Sequence, residues 1–190
     1  MNLPNKLTVS RILLTFVFMV FLYTNGVPAK ALALITFLFA SLTDALDGYF
    51  AKKSGQVTDF GRFMDPIADK ILVLSALLAF VEKGIIPAWM VVIIIFREVT
   101  VTGLRILGMS KGKVIPSDGG GKYKTALQLL TITVILVFLI LKEGGLRGFA
   151  FWNAGVEHGY RCAIYLMMLV TVTLTLVSGI RYFIKNKEVC

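Results

Sequence analysis

An all-α, polytopic integral membrane architecture with about six transmembrane helices follows from three properties of this chain. Its 190 residues are 57% hydrophobic, with a mean hydropathy of +0.81, more apolar surface than a water-soluble domain of that length can bury. Apolar runs recur along the whole chain rather than forming one anchor. Between the runs stand clusters of turn-forming residues. No internal repeat and no separate soluble region interrupts the pattern, so residues 1–190 read as one transmembrane domain.

A spanning helix needs about 20 apolar residues, and six segments fit, at 7–24, 30–50, 66–82, 85–107, 122–142 and 160–184. The first follows Met1-Asn-Leu-Pro-Asn-Lys6 and lacks the small-residue cleavage site of a signal peptide. It is therefore expected to be a retained span. Asn25-Gly26-Val27-Pro28 ends it, and the second span follows. Glu82-Lys83-Gly84 separates the third from the fourth. A longer loop, from Gly108 to Gly121, contains Pro116 and the triple glycine Gly119-Gly120-Gly121. Lys142-Glu143-Gly144-Gly145 closes the fifth span, and the sixth runs toward the C-terminus.

Lysine and arginine set the orientation. With the N-terminus inside, cytoplasmic segments hold Lys6, Lys52, Lys53, Arg62, Lys111, Lys113, Lys122, Lys185 and Lys187. The opposite side holds Lys30, Lys83, Lys142, Arg147 and Arg161, partly offset by Glu82, Glu143 and Glu157. Both termini are thus expected in the cytoplasm. The net charge of +9 belongs mainly to these connections, which points to anionic lipid headgroups and topology, not nucleic acid. Cys162 and Cys190 have no metal-ligand spacing, and no structural disulfide is expected. His158 sits in a glycine-flanked connection, where a surface role is the plain reading.

Four aspartates carry the chemistry. Asp44-Ala-Leu-Asp47-Gly48-Tyr-Phe-Ala51-Lys52 is followed, eight residues on, by Gly61-Arg-Phe-Met-Asp65-Pro-Ile-Ala-Asp69. Asp44 and Asp47 are spaced i, i+3, and Gly61, Asp65 and Asp69 are spaced i, i+4, i+8, so each set shares one helical face. Two helices joined by a short connection run antiparallel, and the faces can converge. On the orientation above, the site lies at the cytoplasmic side. Ionised carboxylates at a membrane edge are costly and repel one another. An oxygen cage of this kind suits Mg²⁺ or Mn²⁺ rather than zinc. Gly48, Ala51 and Gly61 leave room for a bulky ligand near the backbone. Two plainer readings exist. Asp65 could cap a helix beginning at Pro66, and the aspartates could pair with Lys52, Lys53, Arg62 and Lys70 as interfacial salt bridges. Neither requires the glycines at those offsets.

The pattern Asp-x-x-Asp-Gly-x-x-Ala-basic-x8-Gly-x3-Asp-x3-Asp resembles the signature of the CDP-alcohol phosphotransferases, integral membrane enzymes that cleave a CDP-activated lipid or alcohol. The family's usual arginine after the alanine is Lys52 here, which keeps the charge and loses the bidentate fork. The resemblance implies that Asp44, Asp47, Asp65 and Asp69 ligate metal, with two ions bound. It makes Asp69 also the base that takes the acceptor hydroxyl's proton. It assigns Gly48, Lys52 and Thr58 to the CDP moiety.

The acceptor is read from a second set of charges. Arg97 and Glu98 interrupt the apolar fourth span, Arg105 lies eight residues on, and Lys122 and Lys124 open the fifth. A charged pair inside a span suggests a polar cavity, and the gathered cations suit an anionic acceptor. A structural Arg97–Glu98 pair and ordinary positive-inside lysines are the plainer alternative. Pro4-Asn5-x-x-Thr8-x-x-Arg11, Arg97-Glu98-x-x-Val101-Thr102-Gly103-Leu104-Arg105 and Gly121-Lys122-x-Lys124-Thr125 extend the resemblance over most of the chain, weakening after about residue 142. They are similar to bacterial family members of the cell membrane that take CDP-diacylglycerol as donor and sn-glycerol 3-phosphate as acceptor. The resemblance also implies a homodimer among membrane lipids. The rival within the family uses serine, inositol phosphate or a phospholipid as acceptor. A rival outside it is a small cation transporter, against which the acidic residues cluster on one side.

Overall fold

Each break in the apolar pattern is a helix end with its own hydrogen-bond solution. The computed structural model describes residues 3–54, 59–110, 120–145 and 153–185; the side chains of 3–8, 44–54, 59–69, 107, 109–110 and 120–122 fall outside the description. The described residues form six α-helices and no strand: α1 (Leu3–Tyr23), α2 (Val27–Ser54), α3 (Asp59–Glu82), α4 (Ala88–Ser110), α5 (Gly120–Gly145) and α6 (Ala154–Lys185).

Between α1 and α2 the chain turns at Gly26, whose φ of 115° only glycine adopts without strain. The Gly26 carbonyl accepts from Lys30 N at 3.1 Å and so opens α2. Pro28 falls in the first turn, where its missing N–H leaves no bond unmade. Just past the end of α3, Gly84 has φ 63°. There Gly84 N donates to Val81 O and Ile85 N to Phe80 O, both at 2.9 Å, the paired bonds of a left-handed C-cap. Asn153 caps α6, its Oδ1 accepting from Val156 N at 2.9 Å.

The helices outrun the apolar segments that announce them. α2 continues through Lys52 and Lys53 to Ser54, and α3 begins at Asp59 rather than near residue 66. α6 begins at Ala154, which places His158 on a helix and exposed, not in a connection. Apolar length reports only what suits hydrocarbon. A helix carries on into polar sequence as long as no cap or proline stops it.

The chain divides into two compact units, Met1–Ala76 with Ile132–Tyr160, and Leu77–Thr131 with Arg161–Cys190. In the first, α1 and α2 form an antiparallel hairpin. Small residues at Ala29, Ala33 and Ala40, all buried, let the helices approach. The Phe18 and Phe37 rings meet at 5.7 Å. Buried Lys30 donates to Leu22 O at 2.7 Å and Thr24 O at 2.8 Å, satisfying carbonyls at the end of α1. Glu143 accepts from Gly26 N at 2.7 Å and ties α5 to the turn. Lys142 and Glu157 pair at 2.8 Å.

In the second unit, Thr131 of α5 lies 3.4 Å from Thr171 of α6, oxygen to oxygen. Val101 and Leu104 of α4 pack on Tyr182 and Phe183 of α6. Each unit also turns large apolar side chains outward; Phe16 is 67% and Phe96 70% exposed. Tyr123–Gly145 and Ala154–Lys185 are long and apolar enough to cross a membrane.

Candidate active site

The aspartates fall on two consecutive helices of the first unit. Asp44 and Asp47 lie in the last turns of α2, and Asp65 and Asp69 in the second and third turns of α3. Because both stretches are helical, each pair occupies one side of its helix. Gly48 and Lys52 follow Asp44 at i+4 and i+8, near the same side. α3 starts six residues before Asp65, so Asp65 is not the cap of a helix beginning at Pro66. The side chains of Asp44, Asp47, Lys52, Asp65 and Asp69, like the surroundings of Gly48, lie outside the described residues, and Thr58 lies outside them altogether. Four carboxylates make a hard, all-oxygen donor set, which fits Mg²⁺ or Mn²⁺. Among the described residues no other group of three or more His, Cys, Asp or Glu could hold a metal.

Register adds a cation to this region. On α1, Arg11, Thr15, Phe18 and Leu22 form the buried face. Phe18 meets Phe37 across the hairpin. Two turns back from Phe18 is Arg11, and two turns on from Phe37 is Asp44, so the two positions stand at the same level. Arg11 is only 4% exposed. The sequence offered it as part of a longer likeness without a role.

The second unit builds a charged network at Arg97. Its Nη1 donates to Glu98 Oε1 at 3.1 Å, and its Nη2 to Ser178 Oγ of α6 at 3.0 Å. Lys124, 3% exposed on α5, forms an ion pair with the same Glu98 oxygen. One carboxylate therefore serves two cations, which leaves the trio with one net positive charge. The Nε of Arg97 is buried and has no hydrogen-bond partner among the described residues. Arg105, eight residues on along α4, is exposed. The structure thus joins Arg97 to Lys124 through Glu98, sets Arg105 at the edge, and leaves the Lys122 side chain outside the described residues.

Sequence reasoning missed Ser178 and Gly179. Glycine at 179 lets the Arg97 stem pass, since a Cβ there would lie 3.0 Å from Arg97 Cγ. The available signal was a small polar residue beside a glycine within an otherwise apolar span. Cys162 is exposed, and Cys190 lies outside the described residues.

Residues 1–177 match the CDP-alcohol phosphatidyltransferase family, and the chain belongs to that family. It is a family of transferases that depend on divalent metal. The chain is 39% identical over 199 residues to the CDP-diacylglycerol–glycerol-3-phosphate 3-phosphatidyltransferase of Bacillus subtilis (strain 168), covering 98% of this chain and 96% of that protein. Proteins of the same description are similar in Rickettsia typhi, at 34% identity over 96% of this chain and 95% of the relative, and in Pseudomonas fluorescens, at 35% over 96% and 88%.

Proposed function

We propose that the chain transfers the phosphatidyl group of CDP-diacylglycerol to sn-glycerol 3-phosphate, giving phosphatidylglycerophosphate and CMP. The observation that carries this reading is the full aspartate signature on two consecutive helices, in a chain alike over nearly its whole length to proteins of that activity. Asp44, Asp47, Asp65 and Asp69 would hold two divalent ions, Mg²⁺ or Mn²⁺, and these would supply positive charge to the pyrophosphate and the departing CMP. Asp69 takes the proton from the acceptor's primary hydroxyl. The acceptor oxygen bonds to the phosphorus that carries diacylglycerol, and the bond from that phosphorus to the oxygen kept by CMP breaks. Gly48, Lys52 and Thr58 bind the CMP portion.

Arg97, Arg105, Lys122 and Lys124 hold the acceptor's phosphate. The buried, uncommitted Nε of Arg97 supports this, because an unmet donor in a low-dielectric site costs stability until an acceptor arrives. The protein works as a single six-span domain of the bacterial cell membrane, as a homodimer, with its termini and catalytic side cytoplasmic. The outward apolar side chains, the two long apolar helices and the distribution of lysine and arginine support that placement.

Purified protein given CDP-diacylglycerol and labelled glycerol 3-phosphate should release CMP and form the phosphorylated lipid. The reaction should stop with chelator and resume with Mg²⁺ or Mn²⁺. Preference for serine or inositol over glycerol 3-phosphate would overturn the acceptor, and turnover in chelator would overturn the metal site.

A further inference from the structure

α5 and α6 each carry a buried stripe of polar residues within the second unit. On α5 it is Lys124, Gln128 and Thr131, spaced i, i+4, i+7. On α6 it is Thr171, Thr175 and Ser178, again i, i+4, i+7. Such spacing keeps each stripe on one face. The 3.4 Å approach of Thr131 to Thr171 shows that the faces meet. Both Lys124 and Ser178 reach the Arg97–Glu98 pair, Lys124 through Glu98 and Ser178 through Arg97. The stripes therefore run antiparallel. Thr131 stands level with Thr171 and Lys124 with Ser178. Between those rungs Gln128 stands level with Thr175.

That middle rung is chemically incomplete. Gln128 is 5% exposed and Thr175 fully buried. The Gln128 amide nitrogen and the Thr175 hydroxyl have no hydrogen-bond partner among the described residues. Arg97, whose guanidinium meets Ser178 three residues on from Thr175, also has a buried Nε without a hydrogen-bond partner among the described residues. Buried polar groups are nearly always satisfied, and an amide and a hydroxyl left open at the same level of two facing helices call for a polar occupant. The occupant must accept from an amide and exchange a bond with a hydroxyl, next to a guanidinium that seeks an anion. A small polyol monophosphate has that set of groups.

Building on the acceptor reading above, we propose that Gln128 and Thr175 are specificity-determining residues that bind the secondary hydroxyl of the acceptor, while Arg97 and Lys124 hold its phosphate. The Ser178 hydroxyl fixes the guanidinium plane from the next rung. A site that hydrogen-bonds a substrate hydroxyl rejects the analogue lacking it, because the protein groups are then left unpaired. The chain should therefore distinguish glycerol 3-phosphate from 3-hydroxypropyl phosphate, which keeps the phosphate and the primary hydroxyl and lacks only the secondary one.

The test compares the two acceptors on the wild type, Gln128→Met and Thr175→Val, both substitutions being close in shape. The wild type should favour glycerol 3-phosphate in kcat/KM by about tenfold to a hundredfold. In each variant the preference should collapse to within about threefold, through loss with glycerol 3-phosphate rather than gain of CDP-diacylglycerol KM. Glycerol 3-phosphate should also raise the unfolding temperature of the detergent-solubilised wild type more than that of either variant. If a variant unfolds, the wild type still decides, since equal use of the two acceptors overturns the inference. An unchanged preference in both folded variants overturns it as well and leaves the rung to water. No turnover or thermal shift with glycerol 3-phosphate in the wild type overturns the acceptor reading itself.

Discussion

Gly103 and Gly179 both lie in helices of the second unit, and they should respond oppositely to alanine. Nothing stands within 4 Å of a Cβ built at Gly103. Alanine there restricts the unfolded chain and should stabilise by about 0.4–1 kcal/mol. At Gly179 the same atom meets the middle of the Arg97 stem at 3.0 Å, and a stem packed on its helix cannot swing aside as a free tip can. Gly179→Ala should cost about 1–3 kcal/mol and raise the KM for glycerol 3-phosphate, with thermal unfolding and acceptor kinetics as the two readouts. A Gly179→Ala enzyme with normal acceptor KM would show that Arg97 does not serve the phosphate. On the roles proposed above, the aspartates should divide in the same way. Asp44→Asn, Asp47→Asn and Asp65→Asn should each nearly abolish turnover in an inserted protein. Asp69→Asn should lower kcat by about 10²–10⁴ while retaining more affinity for CDP-diacylglycerol. Equal loss of donor binding would make Asp69 a ligand before a base.

Among the elements, the α1–α2 hairpin shows what apolar counting can and cannot read. Asn25-Gly26-Val27-Pro28 is legible as a turn because glycine and proline act locally. Lys30 is not. In the sequence it is one positive charge outside; in the fold it is 4% exposed and closes two carbonyls, Leu22 O of α1 and Thr24 O just beyond it. Lys30→Met should leave those carbonyls unmet and cost about 1–3 kcal/mol, visible as a lower unfolding temperature in detergent. An unchanged temperature would mean that water replaces the ammonium. The aspartate signature is legible for the same local reason as the turn, since its spacing lies within single helices. The Gln128–Thr175 rung is not legible. A lone glutamine and a lone threonine in apolar spans carry no signal until the pairing of α5 with α6 sets them level. The apolar span begins later than α3 because the helix's first turns, Asp59-Phe-Gly-Arg-Phe-Met, are too polar to count toward a span yet contain nothing that stops a helix.

At the scale of the whole molecule the testable quantity is orientation. α6 has 32 residues, which at 1.5 Å per residue is roughly 48 Å of helix. That exceeds the hydrocarbon core of about 30 Å, so both ends should emerge into water. The two ends differ chemically. Near the first, Glu157 offsets Arg161 beside exposed His158, while Arg181 and Lys185 gather at the second. Lysine and arginine collect on the cytoplasmic side, and cations near a helix C-terminus also complement its dipole. The two effects agree in direction. With Cys162 and Cys190 replaced by serine, His158→Cys should react with a membrane-impermeant thiol reagent in intact cells. Lys185→Cys should react only after permeabilisation. The reverse pattern would invert the proposed orientation and overturn the cytoplasmic placement of the catalytic side. Labelling of both sites from outside would remove the sixth span. Either result would leave family membership standing and overturn the topology built on lysine and arginine alone.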